Sequence, residues 1–215
     1  MHSPSNKELL ERRWNEIYGS GLQLNLYPYE QVIRFLNRHF PDPIQRSSTS
    51  VLDVGCGAGN NLWFAARHGF QCTGIDIGEA AIAFARERFR QEDLSGEFVL
   101  GSFAQLPFCD ASFDAVLDRC AITAATPEVG EQAIAEIYRC LKPGGVFMFN
   151  TLASDQRTEK TGHAYGVGTL YDEAAIRTLF PGHQWQILSW HKMQTISMLD
   201  PSYIASQWLL EAQRI

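Results

Sequence analysis

Residues 50–61 read SVLDVGCGAGNN and join a short apolar run to three closely spaced glycines. The apolar run carries one acid, Asp53, and Gly55, Gly57 and Gly59 follow at alternate positions before residues that can begin a helix. Glycine is needed where the backbone bends sharply or comes within contact distance of a ligand, because a side chain there would clash. Free N–H groups at the start of the next helix suit a carboxylate, a hydroxyl or a phosphate. The stretch therefore predicts a strand, a tight turn and a helix start that bind a small molecule.

Strand-like and helix-like segments alternate along the rest of the chain. Strands are predicted at residues 50–54, 71–75, 97–100, 113–118 and 145–150, with two further extended segments at 185–193 and 204–214. Helices are predicted at residues 6–18, 29–40, 60–68, 79–91, 128–141 and 171–180, and polar residues 45–50 predict a surface connection. Alternation of this kind implies a parallel sheet covered by helices on both faces. The predicted fold is α/β, a Rossmann-like seven-stranded and mostly parallel sheet whose last two strands form an antiparallel hairpin at one edge.

Composition and charge exclude several classes of protein. A net charge of −6 without any Lys/Arg-rich run argues against nucleic acid as a partner. Five scattered cysteines without a C-x-x-C pair predict neither a disulfide framework nor a zinc site, and no other metal cluster is expected. The N-terminal residues lack the apolar core of a targeting signal, and no stretch approaches the roughly 18 apolar residues of a membrane span. We therefore expect a cytoplasmic protein without a membrane partner.

Ligands of open parallel sheets bind at the carboxyl ends of the strands, so the residues there are the candidates for binding. Asp76 ends the second strand, 21 residues after Gly55, where an acid can accept both hydrogens of an unphosphorylated ribose diol. A dinucleotide site would have the spacing G-x-G-x-x-G, whereas this chain has D-x-G-x-G-x-G. Asp53 would repel a pyrophosphate and instead favours an ammonium or sulfonium group.

Four segments together resemble class I S-adenosylmethionine-dependent methyltransferases of the small bacterial methyltransferase-domain type. VLDVGCGAG matches the first motif of that family and GIDIG the second, while LPF-(4)-SFDAVLDR and LKPGG resemble the segments around strands 4 and 5. The resemblance covers about residues 51–150. It implies S-adenosyl-L-methionine as cofactor and S-adenosyl-L-homocysteine as product.

The chain is interpreted as one methyltransferase domain, residues 1–215. Its length and its 45% hydrophobic content suffice for a core of its own. Residues 1–48 form an N-terminal helical cap, residues 49–151 the cofactor-binding core, and residues 152–215 the substrate loop, a helix and the edge hairpin.

The resemblance implies a role for each residue at the strand ends. Asp53 and the glycine turn would contact the methionine part of the cofactor, Asp76 the ribose hydroxyls, and Ile77 the adenine. Many relatives carry Asp where this chain has Ser102, whose hydroxyl can still accept a hydrogen bond from the adenine amino group. Cofactor contacts are thereby expected from Asp53, Gly55, Cys56, Gly57, Gly59, Asn60, Asn61, Asp76, Ile77, Ser102, Phe103, Asp118, Arg119 and Cys120.

Residues on the acceptor side carry two interpretations each. Asp118 and Arg119 either form a structural ion pair or line the acceptor pocket, where Asp118 would be catalytic. His163, after the fifth strand, is either a solvated loop histidine or the catalytic base, and Tyr165 beside it is a further substrate contact. Cys120 is interpreted as a packing residue, since methyl transfer from a sulfonium needs no covalent enzyme intermediate.

Two interpretations apply to the aromatic residues Trp14, Tyr18, Tyr27 and Tyr29, which either pack the helices down or form a lid over the cofactor. Core packing is expected for Trp14, whereas Tyr27-Pro28-Tyr29 is the better candidate for a lid, with Tyr29 contacting substrate.

The predicted function is methyl transfer to an oxygen or nitrogen of a small molecule. The segment WNEIYGSG and the following YPYEQVIRFL resemble the leader of bacterial enzymes of polysaccharide or small-metabolite pathways, so the acceptor is expected to be a sugar or a secondary metabolite. A non-catalytic cofactor-binding regulatory or partner protein is the alternative, and a nicotinamide oxidoreductase is a third. A monomer and a homodimer are equally compatible with the sequence.

Overall fold

A computed structural model describes residues 6–155, 168–200 and 202–215. The strands are β1 Ser50–Val54, β2 Gln71–Asp76, β3 Glu97–Leu100, β4 Phe113–Arg119, β5 Leu141–Leu152, β6 Trp185–Ile196 and β7 Ile204–Arg214. The helices are α1 Asn6–Gly19, α2 Glu30–His39, α3 Pro43–Arg46, α4 Asn60–Arg67, α5 Glu79–Gln91, α6 Pro127–Cys140 and α7 Glu173–Leu179, with a 3-10 helix at Ile122–Ala124. Within these ranges, no helix is long and apolar enough to cross a membrane.

The seven strands form one sheet in the order β3-β2-β1-β4-β5-β7-β6. The first five in that order pair in parallel, whereas β7 pairs antiparallel with both β5 and β6. The seven-stranded, mostly parallel sheet with an antiparallel edge hairpin is therefore confirmed. From β1 the strands β2 and β3 follow on one side, and β4 and β5 follow on the other side. Sheets of this type bind ligands at such a switch point, here between β1 and β4.

Each face of the sheet carries its own hydrophobic cluster. Helices α2, α4 and α5 pack on one face, the cap face, with Phe35, Leu62 and Phe89 buried there. Helices α6 and α7 pack on the opposite face, the α6 face, with Ile137 and Ile176 buried there. Because successive side chains of a strand point to opposite faces, each strand-end residue is assigned to a face by its neighbours.

The connection before β1 differs from the prediction. A four-residue helix, α3, begins at Pro43, and the Asp42 carboxylate caps it by accepting a hydrogen bond from the Ile44 N–H at 2.9 Å. Arg46 is buried, since its guanidinium donates to the Phe40 carbonyl and stacks on the Phe70 ring. The expectation of a polar surface connection over residues 45–50 was therefore wrong for Arg46, whose charge is satisfied inside the fold.

Strand β5 also begins earlier than predicted. Leu141 pairs with Phe113 and Val146 pairs with Ala115, so the turn residues between them form a bulge inside the strand rather than a separate connection. Strand β6 continues to Ile196, where it still pairs with Ile204.

Candidate active site

The glycine turn after β1 takes a backbone path that other residues rarely follow. Gly55, Gly57 and Gly59 have φ values of +65°, +52° and +73°, in the left-handed region. A Cβ atom on Gly55 would lie 2.2 Å from the Cβ of Ala121, in the loop after β4. A Cβ atom on Gly57 would lie 2.8 Å from the Tyr18 hydroxyl. The turn thus brings the ends of β1 and β4 and the last turn of α1 into direct contact.

Asp76, the last residue of β2, joins two turns. Its carboxylate accepts hydrogen bonds from the backbone N–H of Gly57 at 2.9 Å and of Gly78 at 2.7 Å. Burial raises the pKa of Asp76, and the backbone N–H groups counteract part of that rise. The charge is therefore supported by the fold itself, and the lone pairs that remain can accept hydrogen bonds from a ligand.

Asp53 lies one strand away on the same cap face but has weaker support. It is 1% exposed, and its described hydrogen-bond partner is the Asn61 side-chain amide, which donates at 3.2 Å. Burial raises the pKa of Asp53 to about 8, the carboxylates of Asp118 and Asp76 add to the rise, and the Asn61 bond opposes it. A cationic ligand group would stabilise the ionised form of this carboxylate.

Asp118 comes two residues after Val116, which is buried on the α6 face, so Asp118 lies on that face too, opposite Asp53 and Asp76. One carboxylate oxygen accepts hydrogen bonds from the N–H groups of Ala121 at 2.9 Å and Ile122 at 3.1 Å, and the other has no partner among the described residues. Burial raises the pKa of Asp118 to about 7, against the backbone bonds and the Arg119 charge. Its contacts hold the loop after β4 in place.

Arg119 returns to the cap face, because it follows Leu117 by two residues. Its guanidinium carbon lies 4.1 Å from the centre of the Tyr29 ring, and Nη1 donates to the sulfur of Cys120 at 2.7 Å. Burial raises the pKa of Cys120 to about 11, so its thiol is protonated at neutral pH. This state fits the interpretation of Cys120 as a packing residue rather than a nucleophile.

Two asparagines connect the N-terminal cap to the glycine turn. Asn60 donates to the Tyr27 carbonyl at 2.9 Å, and the Asn61 side-chain oxygen accepts from the Tyr29 N–H at 3.3 Å. The Tyr29 backbone is thereby joined to the start of α4, and its ring packs against Arg119, whereas Tyr27 is 76% exposed.

Tyr18, which the sequence placed among the aromatic residues that either pack the helices or form a lid, lies beside the turns after β1 and β2. Its hydroxyl is in contact with Gly57, and its ring packs against Gly78. A Cβ atom on Gly78 would lie 3.1 Å from the Tyr18 ring. Burial raises the pKa of Tyr18 well above its ordinary value, and the charges of Asp76 and Asp53 contribute. Trp14 stacks on Tyr18 with the ring centres 5.5 Å apart. The sequence predicted the helix over residues 6–18 but not which residues its buried face contacts.

The residues just after β2 and β3 are mostly apolar and make few hydrogen bonds. The Ser102 hydroxyl accepts a hydrogen bond from the Ala104 N–H at 3.2 Å, and Phe103 packs at the edge of the α6-face cluster. Ile77 is half-buried after Asp76, and the Cys56 side chain is buried beside Gly74 in the cap-face cluster.

Two predicted acceptor residues, His163 and Tyr165, lie outside the described residues. In the described ranges, no group of three or more His, Cys, Asp or Glu side chains is arranged to hold a metal ion. The arrangement that remains is a cleft whose cap face carries two carboxylates, one guanidinium and the glycine turn. Such a cleft can bind a ligand with a cationic group, a diol and an anionic group.

Known proteins share both the sequence of the core and the fold. The family described as a methyltransferase domain matches residues 51–145. The chain is 31% identical to 24-methylenesterol C-methyltransferase 2 of Oryza sativa subsp. japonica over 66% of this chain and 39% of that protein. It is 30% identical to malonyl-(acyl-carrier protein) O-methyltransferase of Enterobacter lignolyticus (strain SCF1) over 61% of this chain and 52% of that protein. The chain thus spans about half or less of the length of these curated relatives.

Solved structures extend the likeness to the whole chain. The structure of Burkholderia thailandensis 1,6-didemethyltoxoflavin-N1-methyltransferase, with bound 1,6-didemethyltoxoflavin and S-adenosylhomocysteine, superposes with a TM-score of 0.75. The match covers 100% of this chain and 93% of that chain at 17% identity, so it demonstrates a common fold.

Proposed function

We propose that this protein transfers a methyl group from S-adenosylmethionine to a small-molecule acceptor, because residues 51–145 match the family described as a methyltransferase domain. The observation that carries the proposal is the pair of buried carboxylates, Asp53 and Asp76, on one face of the sheet beside a left-handed glycine turn. Neither carboxylate takes part in an ion pair of the described residues. Buried acids without a cationic partner are costly, and a cationic ligand relieves that cost.

The residues fit the cofactor part by part. Asp76 accepts the ribose hydroxyls, and Asp53 accepts the ammonium group of the amino-acid end. Gly55, Gly57 and Gly59 let the backbone approach the ligand, with Cys56, Asn60 and Asn61 around them. Ile77, Ser102 and Phe103 surround the adenine.

The chain's own contribution to the reaction is positioning. The cofactor supplies a methyl group on a sulfonium, which is already electrophilic. Residues that align an acceptor in line with it can supply up to roughly 7–11 kcal/mol of the barrier through proximity and orientation. Asp118 holds the loop after β4, which begins at Cys120, and Tyr29 lies against Arg119 from the cap side. His163 removes a proton from the acceptor where the acceptor must lose one, with Tyr165 beside it and Asp118 as a second candidate base.

We propose an oxygen or nitrogen acceptor on a sugar or secondary metabolite. The relatives and the solved neighbour are named as methyltransferases of carbon, oxygen and nitrogen, so the acceptor atom is the part of the proposal that needs its own test. Mass spectrometry of the product after chemical demethylation separates carbon from heteroatom methylation, since an N- or O-methyl group is released under conditions that leave a C-methyl group in place. A carbon-methylated product would contradict this part alone.

The decisive experiment uses cofactor labelled in its methyl group and a broad metabolite extract. Labelled product together with S-adenosylhomocysteine supports the transferase. Cofactor binding without labelled product across extracts favours the alternative, a non-catalytic cofactor-binding regulatory or partner protein. A rise in melting temperature with NAD but not with S-adenosylhomocysteine would favour a nicotinamide oxidoreductase instead. The further proposals of a cytoplasmic location and of a monomer or homodimer are tested by fractionation and by sedimentation.

A further inference from the structure

Arg119 brings a positive charge to a cleft dominated by carboxylates. It lies on the same sheet face as Asp53 and Asp76, because Leu117 and Val51 belong to the cap-face cluster and side chains alternate along each strand. The neighbouring Asp118 lies on the other face, where one of its carboxylate oxygens accepts from the N–H groups of Ala121 and Ile122. The guanidinium is therefore aimed at the ligand side of the sheet without Asp118 as a partner there.

The guanidinium is held in place but is not neutralised. The centre of the Tyr29 ring lies 4.1 Å from the guanidinium carbon, and the Cys120 sulfur accepts a hydrogen bond from Nη1. The Nε atom is buried and has no hydrogen-bond partner among the described residues. None of the described ion pairs includes Arg119. Buried donors are normally hydrogen-bonded, so a ligand that accepts from Nε would stabilise this arrangement. A carboxylate is the best match, because it forms two parallel hydrogen bonds with a guanidinium.

A short chain of contacts joins Arg119 to Asp53. Asn61 donates to Asp53 at 3.2 Å and accepts from the Tyr29 N–H at 3.3 Å, and the Tyr29 ring lies under the guanidinium. The carboxylate and the guanidinium are thus set at one corner of the cleft. An α-amino acid carries its ammonium and its carboxylate on one carbon atom, so it needs a carboxylate and a cation at such a corner.

We propose that Arg119 binds the α-carboxylate of the amino-acid end of the cofactor while Asp53 binds its ammonium group. The proposal rests on the function proposed above. A carboxylate on the acceptor would have the same chemistry, but the link through Asn61 and Tyr29 connects Arg119 to the Asp53 corner. Arg119 is accordingly a determinant of cofactor selectivity for the amino-acid end.

The test compares two ligands by titration calorimetry. S-adenosylhomocysteine carries the amino-acid end, and 5′-methylthioadenosine carries the same adenosine and thioether without it. In Arg119→Gln, affinity for S-adenosylhomocysteine should fall roughly 10- to 100-fold, the effect of losing a charge-assisted hydrogen bond, while affinity for 5′-methylthioadenosine stays within about twofold. Arg119→Lys should recover part of the loss, since it keeps the charge but not the two-pronged geometry.

Arg177→Gln is the matched control, because Arg177 also stacks on an aromatic ring, that of Trp190, but on α7. It should change neither affinity. Unchanged S-adenosylhomocysteine binding in Arg119→Gln would overturn the proposal and assign the anion to the acceptor. Equal losses for both ligands would also overturn it, because they would mean that Arg119 only supports the fold. Wild-type protein that binds neither ligand would refute the proposed function itself.

Discussion

The ends of β1 and β2 each bury an aspartate on the same face of the sheet, but the two ends support the charge differently. At the end of β2, Asp76 receives the backbone N–H groups of Gly57 and Gly78. At the end of β1, Asp53 receives a hydrogen bond from one group of the described residues, the side-chain amide of Asn61, and its pKa is raised to about 8. Burial is nearly complete at both, so the number of backbone donors makes the difference. The Asp76 carboxylate is therefore stabilised by the fold itself, whereas the ionised form of Asp53 needs a cationic ligand group such as the proposed ammonium.

Asp76→Ala should have the largest effect, because it removes the partner of two buried N–H groups and the proposed ribose contact together. We expect the free energy of unfolding to fall by about 2–4 kcal/mol and the affinity for S-adenosylhomocysteine to fall by about 1–3 kcal/mol. Urea unfolding and titration calorimetry measure the two effects separately. An unchanged affinity would refute the assignment of Asp76 to the ribose, even if the fold were weakened as expected.

Asp53→Asn should separate the two functions that Asp76 combines. The amide oxygen can still accept the hydrogen bond from Asn61, and no buried ionisable carboxyl remains, so stability at pH 7 should stay the same or rise. Affinity for S-adenosylhomocysteine should nevertheless fall roughly tenfold or more, because a neutral amide cannot pair with an ammonium group. Loss of stability comparable to that of Asp76→Ala would abolish the distinction between the two strand ends.

Much of this contrast follows from sequence alone. D-x-G-x-G-x-G after a short apolar run, followed by an acid 21 residues after Gly55, predicted both carboxylates and the glycine turn, because the chemistry is written in neighbouring residues. The alternation of strands and helices likewise predicted the parallel sheet, and the last two extended segments predicted the hairpin. Such features depend on local backbone geometry and on periodicity, which a single sequence records.

Other features depend on long-range packing and were not predictable. Strand β4 is apolar on both faces, so its pattern could not tell that Asp118 lies on the α6 face and Arg119 on the cap face. Tyr18 reaches Gly57 and Gly78 only because α1 packs against α5, a contact between residues far apart in sequence. Arg46 was predicted to lie in a polar surface connection, because no neighbouring residue in the sequence indicates that its guanidinium finds hydrogen-bond acceptors inside the fold.

The dependence of binding on pH offers a weaker but more specific probe of Asp53. Its carboxyl must ionise to accept an ammonium group, so affinity for S-adenosylhomocysteine should rise between pH 6 and 8 by at most about tenfold per unit. Calorimetry in buffers of different ionisation enthalpy should detect proton release on binding. Asp53→Asn is the control, and a pH dependence that persists in this variant would assign the proton to another group.

The stability of the ligand-free protein should respond to pH with the opposite sign. A carboxyl whose pKa is raised by folding binds its proton more tightly in the folded chain, so the folded state holds more protons than the unfolded state between pH 4 and 8. The stability that it contributes is complete below the unfolded pKa and is lost as the pH rises through about 8. The free energy of unfolding of the wild type should therefore fall over this window relative to Asp53→Asn.

Tyr18→Phe should have the smallest effect, because it removes one neutral hydroxyl and keeps the ring that lies against both turns. Affinity for S-adenosylhomocysteine should fall about two- to tenfold, as expected for one neutral hydrogen bond, with little change in melting temperature. Tyr27→Phe is the matched control, since that side chain is 76% exposed in the same cap and should show no change. Equal behaviour of the two variants would mean that Tyr18 only covers Gly57 and Gly78. A selective loss in Tyr18→Phe would mean that α1 contributes a ligand contact where the ends of β1 and β2 meet.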